Sequence, residues 1–210
     1  MNISKINKVE KVGHFQLIKP ENIGKFTPKG HLHFAMIEYK RTYKGKRKLS
    51  HRALVIYFIC VNDEVQKIGY TNSTLSSATS LYGKGAMTGD PGPNRFCLHL
   101  EIYKFLKQGK KVDFYCRWFD QKFEALLDGV FKNDGKENVL SFLNAVDIEN
   151  YVKKKFEKSS GLPEWNLQEQ SEGYSRLAKR LYGLYNSLPD PRKGSDANKL
   201  FNKIKNFYTS

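Results

Sequence analysis

A phenol and a primary amine on one face of a β-hairpin are the reactive groups that this sequence brings closest together. Val55 to Thr71 reads VIYFICVNDEVQKIGYT. A β-branched and aromatic run to Cys60 is followed by the turn residues Asn62 and Asp63 and a second short run, Val65 to Tyr70, which predicts an antiparallel hairpin. Period-two alternation puts Val55, Tyr57 and Ile59 on one face of the first strand and brings Lys67 and Gly69 out on a common face of the second. Tyr57 and Lys67 then share a space, with a glycine beside them that keeps its wall low. A phenol that titrates near pH ~10 is a poor base at neutral pH unless a cation lowers it, and an ammonium is the neighbour that does so. The competing interpretation is a core hairpin in which Tyr57 packs and Lys67 reaches solvent.

The elements around the hairpin must supply whatever else a reaction needs. Met1 to Lys29 contains two mixed segments ending in Pro20 and Pro28 and reads as an irregular or partly helical arm. From Gly30, HLHFAMIEYKRTY alternates as a strand, and Lys44-Gly45-Lys46 turns the chain back through RKLSHRALV into the central hairpin. Lys40, Arg41, Lys44, Lys46, Arg47, Lys48 and Arg52 form a charge run on this ribbon. Such a ribbon fits a DNA major groove, with Arg and Lys meeting phosphates or guanine edges, or it is a solvated hairpin tip.

Beyond the hairpin, Ser73 or Thr74 caps a short helix to about Tyr82, stopped by Gly83 and Gly85. MTGDPGPN is a turn-rich loop, either a substrate-facing edge or a plain connector. Arg95 to Gln108 has Phe96, Leu98, Ile102, Phe105 and Leu106 on an amphipathic helix, and KVDFYCRWF, Lys111 to Phe119, alternates as a third strand. His99 has no companion at ligand spacing and reads as a packed or surface histidine.

DQKFEALLDGVF and the segment to Gly161 predict two or more helical pieces. In the later one Val146, Glu149, Val152, Lys153 and Phe156 lie about a turn apart, with a carboxylate at the edge of an apolar stripe. A helical glutamate is ordinarily solvated. Asp147 and Glu124 are the alternative carboxylates. At the C-terminus Tyr174, Leu177, Leu181, Leu184 and Leu188 form one stripe, while Arg176, Lys179 and Arg180 point elsewhere. A last helix, capped by Ser195 or Asp196, buries Leu200, Ile204 and Phe207. These helices suit closing over the core, extending around DNA, or a homodimer contact; core packing with phosphate contact from the basic face is favoured.

Composition limits the function classes. The chain has 210 residues, 40% of them hydrophobic, enough for one domain with extensions or two small ones. Its 36 Lys and Arg against 21 Asp and Glu leave a formal charge of +15, an attraction to polyanions that salt weakens. Cys60, Cys97 and Cys116 lack CxxC spacing and lie in apolar surroundings, which favours buried free thiols over zinc or disulfides. There is no apolar leader and no long uncharged apolar window, so a cytoplasmic protein without membrane association is expected.

VIY at Val55 to Tyr57 and KIG at Lys67 to Gly69 resemble the two half-motifs of the GIY-YIG nuclease superfamily, in a variant whose second half reads KIG. The ten-residue step from Tyr57 to Lys67 fits that pattern, as does Tyr70 three residues on. The family places a metal-binding glutamate on the helix after the third strand, where IENYVKKKF is the best match and gives Glu149. An asparagine shortly after a proline follows in the family, and GLPEWN supplies Pro163 and Asn166. The family's catalytic arginine, eight residues beyond Tyr70, falls on Ala78. No arginine lies between Arg52 and Arg95, and Lys84 is the nearest basic side chain. Three interpretations stand: a differently organised site, an inactive copy, or an arginine replaced to trap a substrate complex, which the otherwise intact motif set favours.

The resemblance covers Ala53 to Asn166. It implies an α/β fold with a small three-stranded antiparallel sheet flanked by helices (residues 53–166), an N-terminal arm and strand ribbon (1–52) and a C-terminal helical extension (167–210). It also implies a restriction-type endonuclease acting on double-stranded DNA with Mg2+, or Mn2+ in its place, through Tyr57, Lys67, Tyr70, position 78, Glu149 and Asn166. The alternatives are a non-catalytic DNA-binding module and a phage or repair nuclease of the same fold.

Overall fold

A computed structural model of the chain describes residues 1–19, 35–39, 54–75, 93–119, 127–128, 131–132, 136–137, 145–166, 176–187, 199–200 and 202–203. A 3-10 turn at Ile3–Lys5 precedes β1 (Glu10–Leu17), β2 (Ala35–Tyr39), β3 (Leu54–Val61) and β4 (Glu64–Thr71). Then come α1 (Pro93–Lys107), β5 (Val112–Phe119), β6 (Leu127–Asp128), β7 (Lys136–Glu137), α2 (Ala145–Ser160) and α3 (Arg176–Ser187).

The central hairpin forms as the sequence predicts. Asn62 and Asp63 have φ of 48° and 67°, left-handed values at both turn positions that Asn and Asp tolerate and that match the twist of the flanking strands. Asn62 also exchanges backbone and side-chain hydrogen bonds with Lys111, which fixes the turn against the start of β5. β3 pairs with β4 on one side and β5 on the other, and Val55 to Val61 are all buried. A strand covered on both faces reads as a continuous apolar run, as VIYFICV does.

The sheet has five antiparallel strands in the order β2-β1-β5-β3-β4, not the three expected. β1 lies in the arm that reads as irregular or partly helical; it adds to the outer side of β5, and β2 adds to β1. The cause of the misreading is local. A register shift between Lys11 and Gly13 bulges β1, so its buried apolar side chains, Val12 and Phe15, are three positions apart and the period-two signal is lost. A tertiary ion pair holds it there: Asp113 on β5, 1% exposed, has Lys11 Nζ of β1 at 2.7 Å, with Lys111 Nζ beside it at 2.9 Å.

The two sheet faces carry separate apolar layers. The first joins Tyr57, Ile59, Phe114 and Cys116 to Leu98 and Ile102 of α1, to Trp165 and to Leu181 of α3. The second joins Ile56, Phe58 and Ile68 to Ile148, Val152 and Phe156 of α2 and to Ile3 and Ile6. Every residue from Cys97 to Tyr103 of α1 is buried, because the helix lies between the sheet and α3, so it is enclosed on more sides than an amphipathic surface helix. His99 within it is 1% exposed, a packed histidine. All three cysteines are buried and free.

Two further expectations meet a different structure. β6 and β7 pair as a short ribbon where helical pieces are predicted. On α2 the inward stripe is Ile148, Val152 and Phe156, and Val146 is 41% exposed. The basic ribbon with Lys40, Arg41, Lys44, Lys46, Arg47, Lys48 and Arg52, the helix with Ala78, the MTGDPGPN loop and the last cap at Ser195 or Asp196 lie outside the described residues. Among the described residues, no helix is long and apolar enough to cross a membrane.

Candidate active site

Tyr57 sits midway along β3, opposite Gly69 on β4 and Cys116 on β5. Its ring stacks on Phe114 with centroids 5.4 Å apart and planes inclined by 23°. The hydroxyl end lies across Gly69: a Cβ at that position would meet Tyr57 Cζ and Oη well inside contact distance. The phenol therefore reaches over β4, the outermost strand on that side, and the glycine is the residue type that admits it.

Lys67 stands on the same face, two residues before Gly69 and opposite Ile59. Its side chain is nearly buried, and Nζ donates to the carbonyl oxygen of Trp165 at 3.4 Å. The next residue, Asn166, completes an attachment to β4. Its Oδ1 accepts from the Ile68 amide and its Nδ2 donates to the Ile68 carbonyl at 2.8 Å. One side-chain amide thus takes both main-chain groups of Ile68, as a residue of a further strand would. Trp165 is itself anchored, 1% exposed with its ring 5.9 Å from that of Phe105 on α1.

Tyr70 and Glu149 belong to the other face. Tyr70 pairs with Ile56 and packs against the second apolar layer, since three steps from Lys67 reverse the side. Glu149 is carried by α2, which covers that layer. It flanks the Ile148, Val152 and Phe156 stripe, is 8% exposed, and has Lys153 Nζ one turn away at 3.3 Å. Phe156 stacks on Phe58, and Phe131, bridged to Ile6, lies beside it. Glu149 lies two turns before Phe156 on α2, about 10 Å along its axis. Past its C-terminus the chain crosses the outer edge of β4, where Asn166 bonds Ile68, and delivers Trp165 to the first layer.

The structure thus gathers Tyr57, Gly69, Lys67 and Asn166 on and beside β4, and sets Tyr70 and Glu149 on its opposite side. Asp147 lies on α2 and is half-buried; Glu124 is outside the described residues. Arg176, Lys179 and Arg180 are exposed on α3, whose Leu181 and Leu184 pack inward. Two features had escaped the sequence analysis. One is the Trp165 carbonyl, a backbone group that no residue type signals. The other is Arg117, 6% exposed and opposite Ile56 in the same cross-strand row as Tyr70; the alternation in FYCRWF was the available signal. Among the described residues, no three His, Cys, Asp or Glu side chains are grouped to hold a metal ion.

No protein-family model and no curated protein sequence matches the chain. Solved structures similar to it include a mutant of bacteriophage T4 EndoII, 25% identical, covering 52% of this chain and 65% of that one, with a TM-score of 0.32. They also include restriction endonuclease HPY188I in complex with product DNA, 15% identical, covering 73% of this chain and 76% of that one, with a TM-score of 0.36. The chain therefore spans slightly less than two thirds of the length of the first.

Proposed function

We propose that the protein is a metal-dependent endonuclease of the restriction type, acting on double-stranded DNA. The observation that carries this reading is the Tyr57 phenol lying across Gly69 on the outer strand, with Lys67 on the same face. Phosphodiester hydrolysis needs an oriented water, neutralisation of the charge that builds on the phosphoryl group, and help for the departing 3′ oxygen. Tyr57 orients water or takes its proton. The Lys67 ammonium, on the same face, meets phosphate charge.

Glu149 suits a single hard cation. It is a nearly buried carboxylate beside an ammonium that a divalent ion would replace. Mg2+ is commonly held by one or two carboxylates, with waters and substrate phosphate completing its shell, so no all-protein cage is required. Bound there, Mg2+, or Mn2+ in its place, would supply Lewis-acid stabilisation to a phosphate oxygen and the leaving oxygen. The scissile phosphate would lie beside β4, with Tyr70 positioning water or phosphate from the second face. A guanidinium at position 78 would hold that phosphate through two donors; alanine provides none.

The net charge of +15 suits a polyanion. Arg176, Lys179 and Arg180 on α3 would contact phosphates, and the ribbon residues Lys40 to Arg52 would enter a groove. A second reading, a DNA-binding module without catalysis, draws on the 6% exposure of Tyr57 and its stacking on Phe114, both ordinary for a core tyrosine. Incubation with supercoiled plasmid separates them. Nicking with Mg2+ that EDTA abolishes supports the nuclease; retention of DNA without cleavage, by this chain and by Ala78→Arg alike, supports the module.

A further inference from the structure

We infer that Asn166 is a positioning residue for Lys67, acting through the carbonyl of Trp165. Three hydrogen bonds join two adjacent residues of one segment to two adjacent residues of β4, across a sequence separation of 98. Asn166 grips Ile68 by both its main-chain groups, and Trp165 receives the ammonium of Lys67. The segment cannot slide along β4 without breaking the Asn166 pair, so the amide sets where the Trp165 carbonyl stands relative to the lysine.

The arrangement has support on its far side as well. The Asn166 amide N–H donates to the Pro163 carbonyl at 2.8 Å, closing a tight turn, and the Trp165 ring is wedged against Phe105. Lysine has a long, flexible stem and a point charge with three donors, so it holds a direction only where acceptors give it one. At 9% exposure, Lys67 has little water to supply them. The Trp165 carbonyl is an acceptor that directs the ammonium on the face where the Tyr57 phenol lies.

Strand closure alone would make Asn166 matter for stability and leave the lysine indifferent. A positioning role differs: loosening Asn166 frees Lys67 in protein that is still folded. The catalytic consequence rests on the nuclease reading, but the freedom of the lysine does not, so the two are measured separately.

The test is competitive amine labelling of the full chain with an N-hydroxysuccinimide ester at pH 8, quantified at each lysine by mass spectrometry, for the parent, Asn166→Ala and Asn166→Asp. Aspartate retains the acceptor for the Ile68 amide and loses the donor to its carbonyl. Folding is checked by the Cys60 and Cys97 thiols, which stay closed to a thiol reagent only in folded protein. In whichever variants remain folded, Lys67 is expected to label at least tenfold faster than in the parent, more in Asn166→Ala than in Asn166→Asp, while Lys154 and Lys158 label at unchanged rates. Unchanged labelling of Lys67 in a folded variant overturns the inference. In the Ala78→Arg background the same variants should lose at least tenfold in single-turnover cleavage with DNA affinity within twofold. Freed Lys67 without cleavage in any background upholds the positioning role and removes the nuclease reading.

Discussion

Gly69 lies under the phenol of Tyr57, and the space that a side chain at 69 would take is filled by the ring. The pair makes one object from residues twelve apart in sequence. A methyl group at 69 and the ring at 57 compete for the same volume, so Gly69→Ala should lower stability by about 1–3 kcal/mol, the usual cost of overpacking. Tyr57→Ala in the same chain should recover part of that loss. A urea-unfolding double-mutant cycle measures the coupling; additive losses would mean the strand backbone yields instead.

Glu149→Gln should abolish Mg2+-dependent cleavage in an active background while leaving DNA affinity within about twofold, because it removes a charge and keeps the shape. Tyr57→Phe should act likewise, since it deletes only the hydroxyl. Full cleavage by the glutamine variant would remove Glu149 from the site.

Arg176, Lys179 and Arg180 are exposed, and alanine at each should flatten the log–log salt dependence of DNA binding by about 0.9 per lost phosphate contact. Replacing Lys44, Lys46, Arg47 and Lys48 tests the ribbon in the same way. An unchanged slope would return either group to solvent; loss of cognate binding alone would point to base reading.

Burial pushes the Cys97 thiol up to about 12, from an ordinary 9.0, with the Glu101 carboxylate adding to the effect and Lys179 opposing it. Cys60 is also raised, chiefly by burial and then by Asp113. Above pH 9 the unfolded chain releases these protons and the folded chain keeps them, so stability falls as pH rises, over the window from 9 to about 12 for Cys97. The Cys97 share is of the order of 1.4 kcal/mol by pH ~10. Cys97→Ala should therefore lose less stability between pH ~8 and ~10 than the parent does, in guanidinium titrations under reducing conditions. Parallel losses would show that the thiol does not carry the effect.

Ala78→Arg should raise single-turnover cleavage of a labelled cognate duplex by about a hundredfold or more with Mg2+, with little change in affinity. A bidentate guanidinium that tightens on the transition state is worth several kcal/mol, and about 1.4 kcal/mol is already tenfold in rate. A rate no higher than the parent's would place the arginine register elsewhere or end the nuclease reading.

The sequence by itself determined the central hairpin, its turn and the shared face of Tyr57 and Lys67, because strand alternation and left-handed turn residues are local properties. It also contained the separation of Tyr70 from that face, through the odd step from Lys67, although the motif grouped them. The buried thiols and the third strand were legible for the same reason. β1 was not: its bulge breaks the alternation, and Lys11 reaches Asp113 across about a hundred residues. The tertiary structure alone decided that α1 is enclosed on both sides, that Glu149 approaches from the second face, and that Asn166 bonds the backbone of Ile68. Each of these depends on which surfaces are left to bury once the sheet is assembled, and a backbone carbonyl such as that of Trp165 has the same chemistry at every position until packing selects one.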